Sequence, residues 1–158
     1  DEVSRDNPEA LFVTAFAGIL DLDSGDLVYC NAGHDAPYCV GAASGLRRLV
    51  AGDGPPLCTV DDFEYHGEHT FLDPGELVVL VTDGVTDMRD PTGAMYGRAR
   101  MEAVLEGRRS QSGSARAAVD ALRDDVQAFA AGAEPADDLT VLAIRWNGKP
   151  GIPRSTGR

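Results

Sequence analysis

The feature that most limits the fold is the run "LVVLV", Leu77 to Val81, followed at once by "TDGVTD", Thr82 to Asp87. Five apolar residues without alternation predict a strand covered on both faces, because a strand with one face in water alternates with period two. At 158 residues and 43% hydrophobic content, the chain supports one domain with a sizeable core to do the covering.

The rest of the chain supplies neighbours for that strand. Leu11 to Leu20 is β-branched and aromatic, "DLDSGD" carries turn residues, and Leu27 to Cys30 returns, which reads as a hairpin. "APYCVGAASGLRRLV" repeats the pattern with a Gly-Ala-Ser-Gly turn, and "AGDGPPLCTVDD" is a loop by its Gly and Pro content. From Phe63 to Phe71 the alternation predicts a half-exposed strand, with His66 and His69 on opposite faces and so unable to share a metal. "DPGE", Asp73 to Glu76, fits a type II turn. Arg98 to Leu105 reads as a helix with Met101, Val104 and Leu105 on one face. Ser114 caps a second helix whose stripe is Ala118, Val119, Leu122, Val126 and Phe129. "LTVLAIRW" is a closing strand. Strands, then grouped helices, then one strand predict an α+β layered domain rather than a βαβ alternation.

Charge narrows the partners. With 14 basic and 26 acidic residues the chain carries −12, a field that repels nucleic acid and anionic lipid. A phosphorylated protein would be repelled too, unless cations reverse the field locally. The longest apolar segment, "ALFVTAFAGIL", is shorter than a membrane span, and there is no basic signal-peptide start. Cys30, Cys39 and Cys58 show no C-x-x-C spacing and read as reduced thiols of a cytoplasmic protein.

Carboxylates mark the strand ends. Asp83 follows the buried strand, and Asp137 and Asp138 precede the closing strand. If these two strands pair antiparallel, the acids meet at one rim of the sheet, where they repel unless a cation neutralises them. Oxygen ligands select Mg²⁺ or Mn²⁺ over zinc or copper. Against this stands the plainer reading in which Asp-Gly is a turn and Asp-Asp a loop. Asp87, one helical turn beyond Asp83, is either a further group near the metal or a solvated acid.

Four stretches in order, "FVTAFAGILDLDSGDLVYCNAGH", "GDGPPLCTVDDFEYHGEHTFLDPGELVVLVTDGVTD", "DPTGAMYG" and "DDLTVLAIRW", resemble the SpoIIE/RsbU-type serine phosphatases, which belong to the metal-dependent PPM protein phosphatases. The resemblance runs from Ala10 to Trp146. It implies a β-sandwich flanked by helices in α-β-β-α layers, with two Mn²⁺ or Mg²⁺ ions at one end of the sheets. It makes Asp83 of the T-D-G motif and Asp137 of the D-D-x-T motif metal ligands; Asp87 and Asp138, read from their position alone, are candidates to stand behind them. It implies hydrolysis of phosphoserine or phosphothreonine by metal-activated water, on a phosphorylated anti-sigma-factor antagonist of bacterial partner-switching signalling.

The family's usual start carries two strands, a helix and a further Asp-Gly metal motif, which "DEVSRDNPEA" does not contain. Residues 1–146 are therefore expected to form the C-terminal two thirds of such a domain, with "DEVSRDNPEA" ending the helix before it, and 147–158 a disordered tail. A non-catalytic, phosphatase-like binding module remains the alternative. In "NAGH", Asn31 to His34, His34 is either a proton donor to the leaving oxygen or part of a hydrogen-bonded loop. Arg89 and Arg98 are either phosphate-holding groups or solvated cations.

Overall fold

The computed structural model describes residues 11–49, 54–109, 114–135 and 137–149. The helix end expected before Ala10 and the tail from residue 150 onward lie outside them.

Two antiparallel sheets face each other. The first joins β1 (Ala15–Leu20), β2 (Asp26–Ala32) and β5 (Glu68–Phe71) in the order β1-β2-β5. The second joins β3 (Tyr38–Gly41), β4 (Gly45–Arg48), β6 (Leu77–Val81) and β7 (Val141–Arg145) in the order β4-β3-β6-β7. Two helices, α2 (Arg98–Glu106) and α3 (Ala115–Ala130), cover the free face of the second sheet. A single turn, α1 (Asp83–Thr86), follows β6 directly.

The unalternating run is explained by this layering. Leu77, Val79 and Val81 join the core with Met101, Leu105, Leu122 and Val126 of the helices. Val78 points the other way, into a second core with Leu27, Tyr29, Leu72 and Trp146. Because side chains alternate along a strand, an apolar residue is needed at every position of β6.

Local signals hold where the backbone chemistry is local. The first hairpin turn closes on Asp21, whose Oδ1 accepts from the N–H groups of Asp23 (2.7 Å) and Ser24 (3.2 Å). These bonds hold its carboxyl below the ordinary carboxylate value. The Asp73–Glu76 turn closes with the Glu76 N–H donating to the Asp73 carbonyl at 2.8 Å. Ser114 caps α3 by accepting from the Ala117 N–H at 3.2 Å. The α3 stripe is buried at Ala118, Leu122, Val126 and also Ala130, while Val119 and Phe129 of the expected stripe are only partly buried.

One expectation needs correction. The alternation from Phe63 to Phe71 yields a strand only at Glu68–Phe71; residues 63–67 form a loop. The Tyr65 hydroxyl donates to the Pro55 carbonyl at 2.8 Å, and Tyr65 packs on Gly54. That anchor holds the chain against the 54–57 loop, and pairing with β2 begins only at Tyr29↔Glu68.

Cys30, Cys39 and Cys58 are free thiols. Burial pushes the Cys39 thiol up to about 12, so it is an inert packing group. No helix among the described residues is long and apolar enough to cross a membrane.

Candidate active site

The rim where β6 ends is built by one backbone register. β6 and β7 pair antiparallel with Val81 opposite Val141, which sets the exit of β6 beside the entry of β7. Beyond the last pair the Thr82 N–H donates to the Thr140 carbonyl at 3.1 Å. The Thr82 hydroxyl donates to the Asp138 carbonyl at 2.9 Å and accepts from the Thr140 N–H at 3.0 Å. Gly84 completes the fit. A Cβ on it would lie 2.5 Å from the Asp138 carbonyl oxygen and 3.3 Å from that of Asp137, so only a residue without a side chain lets the two segments approach.

Asp83 is exposed at the start of α1, and its carboxylate has no ion pair or hydrogen bond among the described residues. It lines a cleft of 310 Å³ together with Thr14, Gly33, His34, Asp35 and Thr82. Asp137 and Asp138 are exposed on the adjoining segment; Asp137 Oδ1 accepts from the Asp138 N–H at 2.7 Å, and neither residue lines that cleft. Asp87 ends α1, with one oxygen 3.4 Å from the Thr86 hydroxyl. The register thus joins the segments of Asp83, Asp137 and Asp138. Among the described residues no group of three or more His, Cys, Asp or Glu side chains is gathered as a metal ligand set.

The "NAGH" loop forms the opposite wall. The Asn31 side chain grips the His34 backbone twice, donating from Nδ2 to its carbonyl at 2.7 Å and accepting from its N–H at 2.8 Å. This is the loop-locking arrangement that the sequence left open. His34 Nδ1 and the Thr14 hydroxyl are hydrogen-bonded at 3.3 Å. The two arginines differ. Arg89 donates to the Gly93 carbonyl at 2.9 Å within its own loop, whereas Arg98 lies 3.9 Å from Asp35 on the cleft wall.

Behind Asp35, Tyr38 donates to Glu102 at 2.8 Å, and burial together with that bond raises its phenol to about 12. Sequence reasoning did not single out Thr14, Asp35 or Thr82. Thr82 and Asp35 carried a signal, since they flank "DG" and "NAGH"; Thr14 carried none.

The donor set fits a hard divalent cation. Both acids offer carboxylate oxygens, the approach at Gly84 brings the 137–138 backbone alongside, and Mg²⁺ commonly takes one or two carboxylates and completes its shell with water and phosphate.

The fold is that of the PP2C-type phosphatase domains. Solved structures bear out the fold: the PP2C phosphatase domain with a regulatory fragment of SpoIIE from Bacillus subtilis superposes with TM-score 0.73 at 18% identity, covering 91% of this chain and 41% of that one. The manganese-presoaked SpoIIE phosphatase domain gives 0.63 at 16% identity, covering 97% and 61%. Residues 1–147 match the family model described as Stage II sporulation protein E (SpoIIE), and the chain belongs to that family of serine phosphatases. It is 30% identical over 138 residues to Protein IcfG of Synechocystis, covering 87% of this chain and 21% of IcfG. It is 25% identical over 91 residues to phosphoserine phosphatase RsbU of Bacillus subtilis, covering 58% and 27%. The chain therefore spans about a quarter or less of these relatives' lengths.

Proposed function

We propose that this chain is the C-terminal two thirds of a Mn²⁺- or Mg²⁺-dependent protein phosphatase domain that hydrolyses phosphoserine or phosphothreonine monoesters. Its substrate on this reading is a phosphorylated anti-sigma-factor antagonist, the class that the resemblance to the SpoIIE/RsbU-type phosphatases implies. The observation that carries the reading is the register of β6 and β7, which brings the Asp83 turn against the Asp137–Asp138 backbone beside a cleft shared with His34.

Asp83 and Asp137 would hold the ions, and Asp87 and Asp138 would stand behind them. When bound, the two cations would activate water and neutralise phosphate charge. The chain's own residues do the rest. Thr82 fixes the spacing of the two acidic segments, Asn31 holds His34 at the cleft wall, and Thr14 orients the His34 ring through Nδ1. The cation charge also removes the repulsion that −12 would exert on a phosphoprotein.

In the full-length protein, Asp83→Asn abolishes Mn²⁺-dependent release of phosphate from an aryl phosphate. Undiminished turnover in that variant overturns the ligand assignment. The binding-module reading has one observation on its side: among the described residues no three His, Cys, Asp or Glu side chains are gathered around the two acidic segments. It requires the unaltered full-length protein to bind its phosphoprotein and release no phosphate at any Mn²⁺ concentration.

A further inference from the structure

We propose that a second cleft, beside Asn31 of the "NAGH" loop, takes a lysine or arginine side chain of the phosphoprotein, close in sequence to its phosphorylated residue. This deepens the phosphatase reading and rests on it.

The cleft has a volume of 260 Å³ and lies between Asn31, Gly54 and the segment from Phe63 to Glu68. Its aromatic wall is rigid. The Tyr65 hydroxyl is tied to the Pro55 carbonyl, and the ring packs so tightly on Gly54 that a Cβ there would sit 2.8 Å from it. Phe63 leans on Tyr65 with ring centroids 4.8 Å apart, edge to face, and stays 40% exposed.

Glu64 and Glu68 line the same cleft, both exposed, and neither carboxylate has an ion pair or hydrogen bond among the described residues. Among the described residues, the only basic one lining it is His66. A concave site with aromatic faces and unpaired carboxylates favours a cation twice over, through the ring quadrupole and through direct charge. An anionic guest meets two uncompensated negative charges. A bare metal ion finds no gathered set of three or more His, Cys, Asp or Glu ligands there among the described residues.

The geometry also ties this cleft to the first. Asn31 lines it, and the same side chain holds the backbone of His34, which lines the cleft of Asp83. Residues three apart are separated by about 10 Å at most. An extended peptide rises about 3.3 Å per residue, so a guest that bridges the Asn31–His34 step carries its basic residue a few positions from the phosphorylated one.

The test uses the full-length protein with Mn²⁺ and phosphoserine peptides that differ only in having lysine, alanine or glutamate at each of the three positions on either side. At one of these positions kcat/KM for the lysine peptide exceeds that for the alanine peptide by about tenfold, carried by KM. In Glu64→Gln/Glu68→Gln the ratio falls to about one, and in Glu64→Lys/Glu68→Lys the glutamate peptide becomes the better substrate. Equal kcat/KM for lysine and alanine peptides at all six positions, in a protein that hydrolyses an aryl phosphate, overturns the cleft assignment alone. Failure to hydrolyse either the aryl phosphate or any peptide overturns the phosphatase reading and this inference with it.

Discussion

Thr82 and Asp138, 56 positions apart in the chain, are joined by a 2.9 Å hydrogen bond from the threonine hydroxyl to the aspartate carbonyl. The same hydroxyl accepts from Thr140 at 3.0 Å, so one side chain sets the distance between the two acidic segments of the rim. Removing it with Thr82→Val leaves a carbonyl and an N–H without that partner and destabilises the domain by about 1–3 kcal/mol. Thr82→Ser restores most of the loss. Urea unfolding of the full-length protein measures both, and an unchanged midpoint in Thr82→Val contradicts the role given to the hydroxyl.

Gly84→Ala tests the close approach itself. The added methyl meets backbone, the Asp138 carbonyl at 2.5 Å, and backbone cannot swing aside as a flexible side chain can. Parting the segments raises the Mn²⁺ concentration needed for half-maximal aryl phosphate turnover and costs about 1–3 kcal/mol of stability. Wild-type Mn²⁺ dependence in this variant argues that the rim tolerates separation.

Glu76 joins the two sheets and was read in the sequence only as the end of a turn. It is 1% exposed and accepts from the Ser44 hydroxyl, Arg47 Nε and the Asp73 N–H at 2.9, 3.2 and 2.8 Å. Arg47, on β4, donates onward to the Thr70 hydroxyl and the Phe71 carbonyl of the other sheet. Glu76→Ala strands these donors and destabilises by about 3 kcal/mol, more than Glu76→Gln, which keeps an acceptor. Equal unfolding midpoints for the two variants count against the network.

The pairing of α2 with α3 makes stability depend on pH in a defined direction. Arg100 donates from Nε to Asp125 at 2.8 Å, and that bond holds the Asp125 carboxyl below its ordinary value. A lowered folded-state value stabilises above the unfolded carboxylate value of about 4, and the contribution disappears as pH falls through the folded one. Asp125→Asn therefore lowers the urea midpoint at pH 7 and leaves a shallower decline below about pH 4. Parallel pH profiles for variant and parent refute the assignment.

The flank between β1 and β7 predicts self-association. Each is the outermost strand of its sheet among the described residues, and Leu142 and Ile144 of β7 are 51% and 46% exposed. They line an apolar cleft of 190 Å³ that opens between the sheets. Expressed as these 158 residues, the chain aggregates or elutes as oligomers, and Leu142→Lys/Ile144→Lys raises the soluble monomer fraction. A monodisperse parent monomer with a cooperative unfolding transition overturns this expectation.

Much of the fold was legible in the residues because its causes are local. "LVVLV" could only be an inner strand, "DPGE" closes on itself, and Ser114 caps its own helix. The antiparallel meeting of the Asp83 and Asp137 segments was legible as a condition on strand pairing, and the register meets that condition.

Other features depend on partners distant in sequence, and no local pattern encodes them. Alternation from Phe63 onward promised a longer strand, but a single bond from Tyr65 to Pro55 drew residues 63–67 away from β2. Glu76 read only as the end of a turn, and its burial under Ser44 and Arg47 depends on residues about thirty positions away. The sequence alone determined which residues are buried in strands and helices, since periodicity and turn chemistry act over a few residues. Only the tertiary structure decided which acids, threonines and aromatic rings face one another, because those contacts arise when sheets pack and loops cross between them.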